Sequence, residues 1–441
     1  MSGLPQKIEV FRPTLDDLAT AERERLKGAA KAPDPDPWPV LDDAARYGLA
    51  GEIVAAIEPH TEGDPLAILL QTLVAFGALV GRGPHVRVEG DQHHSNEFIV
   101  LVGTTAKGRK GTSWGRVRQL FEPIPGWPRT PGGLSTGEGI KWAVRDPIEG
   151  TDKDGNVFLK DPGESDKRLL AIEPEFCNVL RHNARQGNTL SATLRQAWDS
   201  GRLETLTKND PVVATGAHIS IIGHITRDEL RAELCATDQA NGFANRFLFA
   251  CVKRSKVLPF GGDALPDEVV ADFTRRLAEA ADKARFARQV TMTSVARDLW
   301  ASVYPQLSEG FDGLLGAVTA RSEAHVLRLA LGYALLNCRS EIDGTHLSAG
   351  LAAWDYCEQS ARHIFGSALG DRVADEILRA LRAAGPDGLT RTQLSNLFQR
   401  HTGSERIQQA LGTLEERRLA VMDTRSTGGR PVEFWVSANA N

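Results

Sequence analysis

The stretch Asn96–Gly115, NEFIVLVGTTAKGRKGTSWG, decides the reading of this chain. Phe98 to Val102 is a run of apolar and β-branched residues of strand length, which predicts a buried strand. Gly103 opens a loop of small and basic residues, Thr104, Thr105, Ala106, Lys107, Gly108 and Arg109, and a helix is expected from about Gly111. Strand, glycine loop and helix together present successive backbone N–H groups and a helix N-terminus, a geometry suited to a phosphate chain. Lys110 is expected to supply the charge for the phosphates, and Thr112 or Ser113 a hydroxyl for magnesium.

Against the pattern G-x-x-x-x-G-K-[ST], Gly103 and Gly108 stand in place. Position seven is Arg109, and Lys110, Gly111 and Thr112 follow one place late. The competing reading is a glycine turn that leads into a basic surface helix.

Upstream, residues 1–39 are rich in proline and charge and end in the stiff KAPDPDPWP, which predicts a flexible arm and linker. Residues 40–85 follow a helical pattern. Val86 and Val88 alternate with polar neighbours before a turn at Glu89-Gly90-Asp91. His93 and His94 are adjacent, would face opposite sides of a strand, and read as exposed turn residues rather than metal ligands.

Downstream, the polar stretch 146–167 reads as an insertion with a hairpin signal at Asp154-Gly155. Leu169 to Ile172 predicts a second strand, ending in Glu173-Pro174-Glu175. A third is expected within Val212 to Ile222, ending in Gly223-His224-Ile225-Thr226, and a fourth over Phe247 to Val252. Strands separated by helical segments predict a mostly parallel α/β sheet, whose ligands bind beyond the C-terminal strand ends. The glycine loop, the two glutamates and His224 would then converge on one crevice. The ATPase core is expected over 86–262, a helical domain over 263–366 and a winged helix-turn-helix over 371–441.

Hydrolysis at a P-loop needs a carboxylate to hold hydrated magnesium and one to orient water. Glu173, with Thr112, is expected to hold the metal; Glu175 is the alternative for either role and Glu138 a third candidate for activating water. His224 would sense the γ-phosphate. Arg246 would reach a neighbouring subunit's γ-phosphate, the alternative being an intramolecular salt bridge. Arg321, at the head of an amphipathic helix, or Arg328 within it, would contact phosphate, the alternative being ordinary surface arginines. Arg181 and Arg185, in the basic stretch RHNARQGN, would bind a single strand in a channel. In the last region three helices and a glycine-tipped hairpin place Arg391, Arg406, Arg425 and Arg430 toward duplex DNA. That region holds 10 Arg and no Lys against 9 acidic residues, so protein docking is its alternative role.

The whole chain has 441 residues, a net charge of −5, 25% charged and 41% hydrophobic residues. This is an ordinary globular composition and excludes a globally basic nucleic-acid binder; any such contact is local. Five cysteines without a C-x-x-C pair exclude a zinc-ribbon spacing and read as reduced core thiols in a cytoplasm. The polar N-terminus predicts no signal peptide. The longest apolar run, Pro65 to Val80, is too short to span a bilayer and reads as a buried helix.

VGTTAKGRKGTSW, LLAIEPEF, LSATLRQAWD, GHIT and NGFANRFL together resemble a poorly characterised bacterial P-loop ATPase family. Its members occur on plasmids, phages and integrated elements, often fused or adjacent to primase-polymerase modules. The resemblance runs from about Trp38 to Gly366, and TARSEAHVLRLALGYALLN also resembles the sensor region of AAA+ and minichromosome-maintenance helicases. It implies a RecA- or AAA+-like core, ATP and Mg²⁺ as cofactors, DNA as partner, a homo-oligomer such as a hexameric ring, and a primase or polymerase encoded nearby. The function expected is that of a helicase- or translocase-like ATPase in replication of a mobile element. The alternatives are a non-enzymatic DNA-binding regulator, or a nucleotide-gated initiator or defence switch, with a decayed P-loop.

Overall fold

The computed structural model describes residues 37–103, 108–205, 212–234, 241–311, 313–366, 371–398, 402–425 and 432–438. Most of the expected N-terminal arm, the loop residues Thr104, Thr105, Ala106 and Lys107, and Arg430 lie outside the described residues. The chain forms two compact units, Met1–Asp312 with Gly316–Ile364, and Gly313–Leu315 with Phe365–Asn441.

In the first unit the helix Gly48–Ile57 is followed by the helix Pro65–Val80. Asp64 caps the second by accepting from Leu66 N, Pro65 takes its first position, and Gly81, at φ +86°, ends it. An apolar sequence on every side of this helix calls for burial all round. It shares one core with Ile99, Leu101, Ile222 and Leu248 of the central sheet. The segment 40–85 is therefore not a separate domain but part of the unit that holds the sheet.

The strands of this unit are β1 (Val86–Val88), β2 (Asp91–His93), β3 (Phe98–Gly103), β4 (Ile148–Thr151), β5 (Val157–Asp161), β6 (Arg168–Glu173), β7 (Leu203–Glu204), β8 (Val213–Ala214), β9 (His218–Thr226), β10 (Phe247–Val252), β11 (Thr291–Met292) and β12 (Glu341–Ile342). The central sheet has the order β10–β3–β9–β6 and is parallel throughout. Its strands are near-continuous buried runs, as a sheet covered on both faces requires. From β3 the chain proceeds to β6 at one edge; from β9 it proceeds to β10 at the other. Connections leaving these two neighbours thus run in opposite directions across the sheet, a reversal that places a crevice beyond their carboxyl ends.

The third strand differs from expectation. Val213–Ala214 pairs with β7, Gly216 turns the chain at φ +73°, and β9 begins only at His218. His224 is consequently inside a strand, opposite Leu101, rather than beyond its end. β4 and β5 form the hairpin expected at Asp154-Gly155. His94 is buried, with its Nδ1 3.0 Å from Pro84 O, and burial lowers its pKa to about 2, so it is no exposed turn residue. Cys177, Cys251 and Cys357 are buried thiols, whereas Cys338 is exposed.

The helices Asp267–Phe286, Ser294–Glu309, Ser322–Leu336 and Gly344–Phe365 complete the unit. Ser322–Leu336, expected to be amphipathic, is buried on nearly every side. Among the described residues no helix is long and apolar enough to cross a membrane.

The second unit holds the helices Arg372–Ala384, Arg391–Leu397 and Ser404–Glu416, with β13 (Leu389–Thr390), β14 (Ala420–Arg425) and β15 (Val432–Ser437) in the order β13–β15–β14. Ile377, Leu381, Leu394, Ile407, Leu411, Leu414 and Trp435 form its core. Thr390 caps the middle helix in a reciprocal capping box with Gln393.

Candidate functional site

Parallel register sets Gly103 of β3 beside Thr226 of β9 and Val252 of β10 at the carboxyl edge of the sheet. Arg109 follows the glycine loop in the left-handed region at φ 53° and immediately precedes the helix Lys110–Phe121. Its Nε lies 2.6 Å from Glu62 Oε2, and Glu62 also pairs with Arg254 and accepts from Leu258 N. The residue that occupies position seven is thus turned toward Glu62, and Lys110 opens the helix in its place. Lys110 is half-buried; burial lowers its pKa, while the carboxylates of Glu229 and Glu175 act against that shift. Ser113 is buried and donates to Lys110 O at 2.7 Å, which leaves Thr112 as the exposed hydroxyl of the first turn. Gly111 is exposed between them.

The two glutamates of LLAIEPE separate in role. Glu173 pairs with Gly223, three residues before Thr226, so it stands about 10 Å back along the strand. It is buried, and its Oε1 accepts from Leu134 N at 2.6 Å. Burial raises its pKa, against the backbone N–H groups of Leu134 and Gly133. The segment it holds runs beside β6, where Leu170 N donates to Arg129 O and Ile172 N to Pro131 O. At Gly132 a Cβ would come 2.7 Å from Ile172 O, so this approach requires glycine. Glu175 is exposed just beyond the strand. One ligand atom each of Glu175, Glu229 and Cys177 lie within 4.8 Å of one another. The Cys177 thiol is pushed up by burial and stays protonated, so the hard oxygen donors of this group are the two carboxylates.

Glu229 and Thr226 escaped the sequence reading, although T-R-D-E at 226–229 carries a capping-box signature. Glu229 Oε2 accepts from Thr226 N at 3.1 Å and Thr226 Oγ1 at 2.7 Å. These bonds, the hydroxyl foremost, lower the Glu229 pKa, with a contribution from Lys110. His224 is buried beneath this edge, with Gln71 Nε2 3.5 Å from its Nε2. Burial, then the charge of Lys110, lowers its pKa to about 4, so the ring is neutral at physiological pH. Glu138 bonds Thr189 Oγ1 at 2.8 Å and pairs with Lys141.

The arginines expected at the nucleotide are elsewhere. Arg246 immediately precedes β10, at the amino edge of the sheet, opposite the glycine loop. It is buried, with Nη2 2.6 Å from Asp199 Oδ2, and an arginine held this way inside its own subunit is not presented to a neighbour. The intramolecular salt bridge replaces the finger. Arg321 lies 3.4 Å from the other oxygen of Asp199 and 5.3 Å from the Trp198 ring, again away from the glycine loop. Arg328 stacks 3.5 Å from the same ring and donates to Asn96 O, Asn96 Oδ1 and Trp198 O at 2.8–3.0 Å. Next to it His325 sits between Glu97 Oε2 and Asn245 O, each at 3.0 Å.

Of the residues expected on DNA, Arg181 pairs with Glu233 at 2.9 Å, while Arg185 is exposed in the loop that follows its helix. In the second unit Arg406 pairs with Asp371 and Arg391 donates to Ser404 O at 3.0 Å, so both brace their own unit. Arg425 ends β14. The chain matches no protein-family profile and has no significant match among curated proteins.

Proposed function

We propose that the protein binds and hydrolyses ATP at the carboxyl edge between β3 and β9, and acts through that cycle on DNA. One observation carries this reading. Lys110 opens the helix that directly follows the glycine loop, within electrostatic reach of the carboxylates Glu175 and Glu229. The opposite directions taken by the chain from β3 and from β9 support it, since such switch points are where open α/β sheets hold ligands.

In this proposal the loop N–H groups and Lys110 take the β- and γ-phosphates, and Thr112 offers its hydroxyl. Glu175 and Glu229 fit magnesium by their oxygen chemistry, and the metal would neutralise phosphate charge when bound. Glu175, exposed beyond the strand, orients the attacking water. Glu173 serves as the anchor of the 132–134 segment, and Thr226, rather than His224, stands closest to the strand end where a γ-phosphate would be felt. The three helices and antiparallel sheet of the second unit support a winged helix-turn-helix that meets duplex DNA. A helicase or translocase role in a mobile element, a ring of subunits and a primase or polymerase partner rest on the sequence resemblance alone.

The deciding experiment measures ATP binding and turnover with and without single-stranded DNA, for the native chain, Lys110→Ala and Glu175→Gln. Turnover lost in both variants, with binding retained in Glu175→Gln, is the expected result. No binding at millimolar ATP and no turnover in the native chain would overturn it in favour of a non-enzymatic DNA-binding regulator.

A further inference from the structure

A cavity of about 430 Å³ opens at the amino edge of the sheet, away from the glycine loop. This lies within the size range of small-molecule sites. Its wall carries Trp300 and Tyr304, one turn apart on the helix Ser294–Glu309, with ring centroids 5.6 Å apart in an edge-to-face pair. Trp300 is half-buried, and Tyr304 is 47% exposed, so a ligand can reach it. The polar end gathers Arg321, Asn245 and His93.

Arg321 is loosely paired at that end. Asp199 is the carboxylate nearest Arg321, but it already binds Arg246 at 2.6 Å and reaches Arg321 only at 3.4 Å. Arg321 is partly exposed; burial, then the positive charge of Arg246, works against its own charge, while Asp199 and Asp91 favour it. His93 Nδ1 is buried without a hydrogen-bond partner among the described residues. Burial lowers the His93 pKa to about 4, so its ring offers a neutral donor or acceptor. At another part of the wall Glu323 is a fixed negative group, its oxygens held by Ser308 and Ser322. A flat ring with one anionic group satisfies all of this; a polyphosphate would meet Glu323 and, near Arg321, Asp91.

We propose that this cavity is a nucleotide-unit site, seating one base against Trp300 and Tyr304 and one phosphate on Arg321 with Asn245 and His93. Aromatic rings paired with a guanidinium are the means by which single-stranded nucleic acid is held without sequence preference. The same chemistry would accept a free nucleoside monophosphate, so the test separates the two sources. The site is independent of hydrolysis at the glycine loop.

The test uses the full chain carrying Lys110→Ala. Adenosine monophosphate and a short fluorescent oligothymidylate are titrated into this parent, and into the parent with Arg321→Ala, Tyr304→Ala or the exposed control Arg275→Ala. Arg321→Ala and Tyr304→Ala are each expected to weaken binding about tenfold, and the control to leave it unchanged. Thermal melts verify folding, and Arg321→Lys should restore part of the affinity by returning the charge. Binding of both probes with this dependence assigns the site to free nucleotides as well as strands; binding of the oligonucleotide alone assigns it to a strand. Failure of both probes to bind, or binding indifferent to Arg321 and Tyr304 in folded variants, overturns the proposal. ATP binding that survives Lys110→Ala would instead count against the hydrolysis reading and leave the Arg321 comparison intact.

Discussion

The two edges of the central sheet are built from the same strands and differ in how they treat polar groups. At the amino edge Asn96, Glu97, His325 and Arg328 are buried, and each is held by partners drawn from distant parts of the chain. At the carboxyl edge Lys110 is half-buried, Glu175 and Thr112 are exposed, and Glu229 bonds Thr226 of its own helix cap. A buried polar group without its partner is costly, so the amino edge spends its polar residues on joining sheet to helices. Groups left reachable by water can exchange it for a ligand. Polarity near a strand end therefore says little until burial and partners are known.

Acid should strike the amino edge hardest. Burial holds His218 at a pKa of about 3 and His94 at about 2, against an ordinary value near 6.5. Both stay neutral in the fold while the unfolded chain takes up protons below pH ~6.5. Their contribution to stability is complete above that pH and is lost as pH falls toward the folded values. Between pH 6.5 and 4.5 the two histidines should cost about 5 kcal/mol. Urea denaturation of the first unit across that range checks this, and a flat profile breaks the comparison.

Arg328→Ala should come next, at about 3–5 kcal/mol, because it leaves Asn96 O and Oδ1 without their buried donor and Trp198 O with only the longer bond from Asn96 Nδ2. Denaturation midpoints read this directly; a loss under ~1 kcal/mol would mean the network is dispensable. At the other edge Lys110→Ala should lower turnover about a hundredfold, or about 2.7 kcal/mol, with little change in melting temperature. A variant that melts early instead would make Lys110 structural. Arg109→Ala should be the mildest, within about 1 kcal/mol in either activity or stability, because its ion pair with Glu62 is partly exposed. If steady-state kinetics show Arg109→Ala to be worse than Lys110→Ala, the loop acts in the opposite register.

Three of the four core strands were legible because each is a short apolar run with a break at both ends, and buried parallel strands must look so. The start of β9 was not legible because VVATGAHISIIGHIT stays apolar across two elements, and only Thr215-Gly216 marks the division. The glycine loop and its helix were legible for the same local reason. The destinations of Arg246 and Arg321 were not, since Asp199 is remote in sequence and no periodicity records such a pairing. Glu173 and Glu175 are two residues apart, and their different fates depend on the Gly132–Leu134 segment lying along β6. One signal was available for the amino edge: His325 and Arg328 sit three residues apart in an otherwise apolar helix, and polar groups there demand buried partners.

The helix Pro65–Val80 is synthesised well before part of what covers it. Its apolar surface is matched by β9 and β10 and by the helix Ser322–Leu336, all synthesised far later. At 5–20 residues per second, the wait from Val80 to Val252 alone is on the order of ten to thirty seconds. Through that interval the faces of this helix that β9, β10 and Ser322–Leu336 cover in the fold stay open on a nascent chain, while Gly48–Ile57 and Lys110–Phe121 can already pack on the rest. Yield during synthesis is then limited by what shields this helix, and a chaperone that holds apolar segments should raise it more than any gain in the stability of the finished fold.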